Sequence, residues 1–196
     1  MPDKRTLNRQ VRSVPVNFQT RSDETGPVIA GYFAVFNNPT ELWPGCIEQI
    51  APGAFASSLG GDVRALIDHD TRLVIGRTVA GTLSLREDDV GLYGEIKINE
   101  HDSDAMNLYA RVQRGDVSQC SFGFDILAED FVEDPSMRTC TWTIRDTVLY
   151  EVSVATFPAY EATSVEARDA AAAIPLKKNR LERRKKELID RIKHHA

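Results

Sequence analysis

The chain has 196 residues, of which 42% are hydrophobic, enough for one domain with an appendage or for two small domains with a packed core. No apolar run approaches the roughly 18 residues of a membrane-spanning helix, and the charged first residues lack the apolar segment of a secretory signal. Three cysteines without CxxC spacing predict neither a disulfide scaffold nor a structural zinc site, and they favour a reducing compartment.

The net charge of −5 is unevenly distributed along the chain. Residues 176–196 hold nine basic and three acidic side chains, a local charge of +6, and residues 1–13 carry +3. Residues 14–175 therefore carry −14. Because so acidic a body repels a phosphate backbone, specific nucleic-acid binding is not expected, and both basic ends are predicted to be arms.

The middle of the chain predicts many short strands. β-branched and aromatic residues over Val28–Phe36 indicate a strand that ends at a turn-forming Asn-Asn-Pro segment. Comparable patterns predict a helical turn at Ala54–Leu59 and further strands at Cys46–Ile50, Val63–Asp68, Leu73–Thr78, Gly81–Arg86 and Gly91–Ile98.

One helix signal follows, at Asp104–Arg114. Ser103 is the expected N-cap, and Gly115 stands where a helix commonly ends in a glycine. Apolar residues share one helical face: Ala105, Leu108, Tyr109 and Val112.

The last predicted strands are Val117–Ile126, Thr139–Arg145 and Val148–Thr156, with an acidic loop at residues 129–134. The pattern predicts an α+β chain that is mainly β: a small antiparallel β-barrel or sandwich with helices packed outside. Residues 166–196 are expected to be a linker and a basic, helical C-terminal tail, which either is solvated or serves as a docking arm.

Only His69 and His101 are candidate bases in the body of the chain. His101 lies in a polar loop before the predicted helix and is expected to be a surface residue. His69 ends an apolar strand and is flanked by Asp68 and Asp70, a place from which a rigid scaffold presents a side chain to a cleft. A histidine in a charged turn is the alternative.

Strand parity separates the nucleophile candidates near residue 120. If Phe122 and Phe124 face the core, Cys120 packs beside them as an inert small hydrophobe. Ser121 then lies with Gly123 on the polar face, where its hydroxyl is expected to be exposed and where the glycine leaves room for a substrate or another backbone. A solvated surface serine is the alternative.

Glu151 is a lone carboxylate in a strongly apolar strand. Such a group is costly to bury without a partner. It either lies on a solvated face or orients an imidazole, as the acidic member of a catalytic triad does.

Short motifs in a common order resemble those of the prohead (capsid maturation) proteases of tailed phages. They are Ile47-Glu48-Gln49-Ile50-Ala51-Pro52-Gly53-Ala54-Phe55, Asp68-His69-Asp70, Ser121-Phe122-Gly123-Phe124, Glu151-Val152-Ser153-Val154 and Phe157-Pro158-Ala159. The resemblance implies a protease domain over residues 27–165, between an N-terminal arm at 1–26 and the tail, with a β-barrel fold like that of herpesvirus assemblin.

The resemblance also implies a catalytic site. The family histidine falls on His69 and the family serine on Ser121, while Glu151 matches the family's acidic position; herpesvirus relatives use a second histidine at a comparable place. The implied enzyme is a serine endopeptidase that needs no metal or organic cofactor.

The implied substrates are scaffold or capsid-protein segments and the protease itself. Its implied partners are the major capsid protein, the portal and the assembling procapsid, in the host cell cytoplasm and without a membrane, with self-association also expected. Self-cleavage is expected between about residues 165 and 180, because the small residues there are unlikely to be held by packing.

Two other functions compete with a serine protease. The first is a non-catalytic capsid-assembly module with the same fold, although the presence of His69, Ser121 and Glu151 argues against it. A metal-dependent hydrolase built on Asp68, His69 and Asp70 is disfavoured, since neighbouring strand residues point to opposite faces.

Overall fold

The protein is described by a computed structural model over residues 9–15, 18–23 and 26–157. These residues form eleven strands, one α-helix, α1 (Ser103–Arg114), and a 3-10 turn at Thr78–Ala80. The strands are β1 (Gln10–Pro15), β2 (Gln19–Asp23), β3 (Gly26–Val35), β4 (Thr40–Trp43), β5 (Cys46–Ile50), β6 (Arg64–Ile67), β7 (Asp70–Arg77), β8 (Leu83–Glu87), β9 (Gly91–Lys97), β10 (Gln119–Asp134) and β11 (Thr139–Ala155).

Two sheets share these strands. The larger sheet has seven strands, in the order β1-β10-β11-β5-β4, with β6 also paired to β11 and β7 paired to β6. The smaller sheet is antiparallel, in the order β2-β3-β9-β8. The 17-residue β11 joins the larger sheet together, since its first part pairs in parallel with β5 and its last part pairs in parallel with β6.

The prediction of a mainly β chain is confirmed, but the closed antiparallel barrel is not. In the described residues the strands form two sheets, one of them mixed, and α1 is the only α-helix. The parallel pairs join segments far apart in the chain, such as Arg64 with Glu151. A local pattern of hydrophobic residues carries no information about such pairings, so antiparallel neighbours were the natural expectation.

The core lies largely on one side of β10. Phe122 and Phe124 are fully buried and stack on each other, with ring centres 4.9 Å apart, and Phe55 meets Phe122 edge-on at 5.4 Å. The apolar face of α1 belongs to the same core, as its spacing predicts.

The ends of α1 differ slightly from expectation. Asp102, not Ser103, is the N-cap, because its carboxylate accepts hydrogen bonds from the backbone of Asp104 at 3.0 Å and Ala105 at 3.2 Å. An ionised cap binds these amides more strongly than a hydroxyl does. Gly115 ends the helix at φ +84°, in the left-handed region predicted for it.

The expected acidic loop and two separate strands are replaced by one long hairpin. β10 continues to Asp134, and β11 runs unbroken from Thr139, so the acidic residues at 129–134 lie within a paired strand. Cross-strand partners in β11 stabilise this extension even though β10 becomes largely solvent-facing there.

The cysteine count and spacing argued against a disulfide scaffold, but one pair of cysteines is bonded. Cys46 and Cys140 form a disulfide in the structure, with Cα atoms 4.5 Å apart. They are direct partners in the parallel pairing of β5 with β11. Because 94 residues separate them in the chain, spacing alone does not reveal that they meet.

Part of the segment predicted to be an N-terminal arm is incorporated into the sheets. β1 pairs with β10, and β2 pairs with β3. β2 is polar and the two valines of β1 are three residues apart, so neither strand has the apolar alternation that identifies a half-buried strand. The predicted linker and basic tail lie outside the described residues, and no helix within those residues has the length and apolar character needed to cross a membrane.

Candidate active site

His69 is presented by a tight turn between β6 and β7. Ile67 pairs with Asp70, so Asp68 and His69 form a two-residue hairpin loop, with φ values of +48° and +62°. Positive φ at both central positions is the signature of a type I′ turn. The Asp68 carboxylate fixes this turn to the end of β11, accepting hydrogen bonds from Thr156 N at 2.6 Å and Thr156 Oγ1 at 2.9 Å.

The imidazole of His69 meets the carboxylate of Glu151. His69 Nδ1 lies 2.8 Å from Glu151 Oε1, and the other carboxylate oxygen accepts a hydrogen bond from Ser153 Oγ at 2.6 Å. Ser153 Oγ is also 3.4 Å from His69 Nδ1. A carboxylate acceptor places the imidazole proton on Nδ1 and leaves Nε2 as the acceptor nitrogen.

Burial favours this interaction. The Glu151 side chain is 6% exposed and the His69 side chain 30% exposed. A buried carboxylate is stable only when its oxygens have partners, and here both have one. Of the two sequence interpretations of Glu151, the structure shows the carboxylate that holds an imidazole.

Ser121 lies on the strand next to Glu151. It is opposite Ser153 in the pairing of β10 with β11, and Gly123 is opposite Glu151. A Cβ atom on Gly123 would collide with Glu151 Oε1. The Glu151 carboxylate therefore fills the space beside Gly123 that was predicted to admit a substrate or another backbone.

The strand-parity prediction holds for Cys120, Phe122 and Phe124, all of which are fully buried in the core. The expected exposure of the Ser121 hydroxyl is wrong. Ser121 is also fully buried, and its Oγ donates a 2.7 Å hydrogen bond to the carbonyl oxygen of Arg12 in β1. The strand that covers it comes from the segment predicted to be an arm.

The three predicted site residues thus lie on neighbouring elements of one sheet. Ser121 is on β10, Glu151 is on β11, and His69 follows β6, which pairs with β11 beside Glu151. His69 and Glu151 are in contact. Ser121 faces Ser153, which touches both of them.

The other candidates lie elsewhere. His101 and Ser118 are exposed and lie in the loops on either side of α1. Asp70 binds Arg72 instead of turning towards His69, and those hydrogen bonds lower the pKa of Asp70 to about 2. Asp68 binds Thr156, so the acidic residues beside His69 diverge. In the described part of the chain no three His, Cys, Asp or Glu side chains could hold a metal ion.

Sequence reasoning missed Ser153, which is fully buried and binds Glu151. The sequence could have indicated this contact, since Ser153 lies two residues after Glu151 and therefore on the same strand face. It also missed Arg12, because nothing in the local sequence shows which strand edge β1 joins.

Comparison with known proteins identifies the family of this chain. Residues 15–176 match the family described as caudovirus prohead serine protease. The prohead protease of Enterobacteria phage HK97 is 33% identical over 151 residues, which cover 75% of this chain and 62% of that protein. The chain therefore spans less than two thirds of the length of that relative.

Among solved structures, the bacteriophage T4 capsid assembly protease matches 76% of this chain and 97% of its own, with a TM-score of 0.49 and 8% identity. That similarity is too low to support an argument. The match over residues 15–176 is sufficient by itself: the chain belongs to the caudovirus prohead serine protease family.

Proposed function

We propose that this chain is a serine endopeptidase of procapsid maturation, with Ser121 as nucleophile, His69 as general base and Glu151 as the carboxylate that orients it. The observation that carries the proposal is the 2.8 Å contact between His69 Nδ1 and Glu151 Oε1 beside the strand that bears Ser121. Membership of a serine protease family supports the same assignment.

The contact of His69 with Glu151 suits acyl transfer. With Nδ1 directed at Glu151, Nε2 accepts the proton of Ser121 as Oγ attacks the peptide carbonyl carbon. The imidazolium then donates this proton to the leaving amine, and water releases the acyl group by the same route. Glu151 stabilises the imidazolium and holds the tautomer.

Ser153 supports the pairing of His69 with Glu151 through the second carboxylate oxygen. Its hydroxyl satisfies Glu151 Oε2, which leaves Oε1 for His69. Each oxygen of the buried carboxylate thus has one defined partner, so the imidazole has one preferred orientation.

The proposed substrates are scaffold or capsid-protein segments and the chain itself, and the proposed partners are the major capsid protein and the portal. The proposed location is the interior of the assembling procapsid in the host cytoplasm. Self-association accompanies assembly. A non-catalytic assembly module is the competing function, and the satisfied contact of His69 with Glu151 argues against it.

The direct test is prolonged incubation with a small fluorophosphonate probe, followed by mapping of the labelled peptide. The hydroxyl of Ser121 attacks phosphorus, fluoride leaves, and His69 takes the proton. We expect label on Ser121, with unchanged labelling of Ser118→Ala and no label on Ser121→Ala. Label on Ser118, or a proteolytically active Ser121→Ala variant, would contradict the assignment.

The tail supplies a second test. We propose that the enzyme cleaves itself between about residues 165 and 180 and releases the basic segment of charge +6 at residues 176–196. Intact-mass spectrometry should show this loss in the active protein and full length in Ser121→Ala. Equal retention of the tail in both proteins would show that it is not a substrate.

A further inference from the structure

β1 covers the edge of β10 on both sides of Ser121. The antiparallel pairing runs from Gln10 opposite Phe124 to Pro15 opposite Gln119, and Ser13 is opposite Ser121. Addition of an extended strand to a sheet edge is a common way to bind a peptide. An endopeptidase also needs an extended peptide beside its nucleophile. β1 therefore lies where a substrate has to lie.

The contact between β1 and Ser121 is incompatible with catalysis. A serine hydroxyl has one proton to donate, and Ser121 donates it to the carbonyl oxygen of Arg12 at 2.7 Å. In acyl transfer the same proton has to pass to His69. While β1 occupies this edge, the nucleophile is held in an unreactive hydrogen bond.

The side chain of Arg12 shows what this edge can recognise. Its Nε and Nη2 bind the two carboxylate oxygens of Glu48, with Nη2 2.9 Å from Oε2 and Nε on Oε1. Glu48 is only 3% exposed. The guanidinium also lies 5.8 Å from the centre of the Phe124 ring. A planar guanidinium fits both the carboxylate and the ring, whereas an ammonium group cannot bridge two carboxylate oxygens in this way.

Loss of Arg12 from this position leaves Glu48 as a buried carboxylate without this cation, which is strongly unfavourable. A segment that displaces β1 therefore binds best if it supplies a guanidinium of its own. Because the carbonyl of Arg12 is the one beside Ser121 Oγ, the peptide bond presented for cleavage is the one that follows the arginine.

We propose that β1 is an internal occupant of the substrate edge of β10, and that the substrate which replaces it is an extended segment with an arginine on Glu48, cut after that arginine. This inference rests on the proposed function and names its substrate class. It also makes β1 a competitor that keeps Ser121 unreactive until a substrate segment displaces it.

The occupancy of the edge is tested by the rate at which the fluorophosphonate labels Ser121. Arg12→Ala should label at least about tenfold faster than the unaltered protein, because β1 then leaves the edge more often. Arg21→Ala is the matched control; it removes a guanidinium that binds Glu95 on the other sheet, and it should label at the unaltered rate.

The double variant Arg12→Ala/Glu48→Gln guards against a folding defect, since it leaves no unpaired buried charge. It too should label faster. Equal rates for the unaltered protein and a folded double variant would overturn the role of β1.

The specificity is tested with two extended peptides that differ only in arginine or its neutral isostere citrulline before the scissile bond. The unaltered protein should cleave the arginine peptide at least about tenfold faster in kcat/KM. Glu48→Gln should reduce this ratio towards one. A ratio that stays unchanged in Glu48→Gln overturns the recognition of arginine. Absence of label on Ser121 in every variant instead contradicts the proposed function, and the inference falls with it.

Discussion

The two halves of the hairpin of β10 and β11 have opposite characters. We call residues 119–126 with 147–155 the inner half, and residues 128–134 with 139–146 the outer half. In the inner half nearly every side chain is buried, including polar Ser121 and Ser153 on the face opposite the core. In the outer half of β10, by contrast, exposed and half-buried side chains alternate, and Val132 is 64% exposed.

The difference comes from what lies beside the hairpin. β1 pairs with β10 in the inner half, and β6 pairs with β11 there, so both edges are covered. In the outer half β5 pairs with β11, whereas no strand among the described residues joins β10. A continuous pair of strands thus becomes a buried site only where neighbouring strands exclude water. Five predictions test this division.

The largest effect is expected for Ser121→Ala. We expect kcat/KM for proteolysis to fall by about 10⁴-fold or more, the usual loss for a triad member. The fold should be preserved, since the variant loses one hydroxyl and its bond to Arg12. Ser118→Ala is the control, because Ser118 is exposed just before β10 begins. Peptide cleavage and thermal denaturation measure both properties; an inactive Ser118→Ala would place the nucleophile outside the inner half.

His69→Ala should be as damaging as Ser121→Ala, and the double variant should be no worse than either alone. Residues that act as one unit in catalysis show this lack of additivity. His101→Ala, which alters an exposed loop residue, should retain full activity. Multiplicative losses in the double variant, measured as kcat/KM, would mean that His69 and Ser121 act separately.

The core of the inner half should contribute more to stability than the outer half. Phe122→Ala is expected to lower the free energy of unfolding by about 3–5 kcal/mol, because Phe122 is fully buried between Phe55 and Phe124. Phe131→Ala should cost only about 1 kcal/mol, since Phe131 is half-buried and packs mainly on Trp142. Urea denaturation measures both; equal losses would show that the two halves are equally packed.

A smaller effect is expected for the turn that presents His69. Asp68→Gly keeps the left-handed backbone but removes the carboxylate that binds Thr156, so kcat should fall on the order of tenfold as the imidazole is less well placed. Asp68→Asn, which tolerates the same backbone and keeps an acceptor oxygen, should lose less. Steady-state kinetics compares them; full activity in Asp68→Gly would show that the turn needs no such anchor.

The smallest effect is expected in the outer half for Arg145→Ala. Arg145 binds Asp130 across the two strands at 2.7 Å, and both side chains are more than half exposed. An exposed ion pair of this kind contributes about 0.2–1 kcal/mol at most. Proteolysis should be unaltered and the unfolding midpoint in urea almost unchanged. A marked loss of activity would extend the functional region into the outer half.

Much of the inner half was predictable from local pattern. The phenylalanines at 122 and 124 predicted which face of β10 meets the core, and hence which face carries Ser121. The apolar run before His69 and the lone carboxylate at Glu151 each indicated a special position, and the family resemblance joined them. These inferences succeed because alternation along a strand is a local property of the backbone.

The sequence by itself determined a mainly β chain, a helix over residues 104–114 and the core face of β10, and the family resemblance added the three candidate site residues. Only the tertiary structure decided that β11 pairs in parallel with β5 and β6, that Cys46 meets Cys140, and that Arg12 of β1 covers Ser121. The physical reason is that these contacts join residues scores of positions apart. Their stability depends on which strand edges are left open when the sheet assembles, and the local order of hydrophobic and polar residues does not encode that.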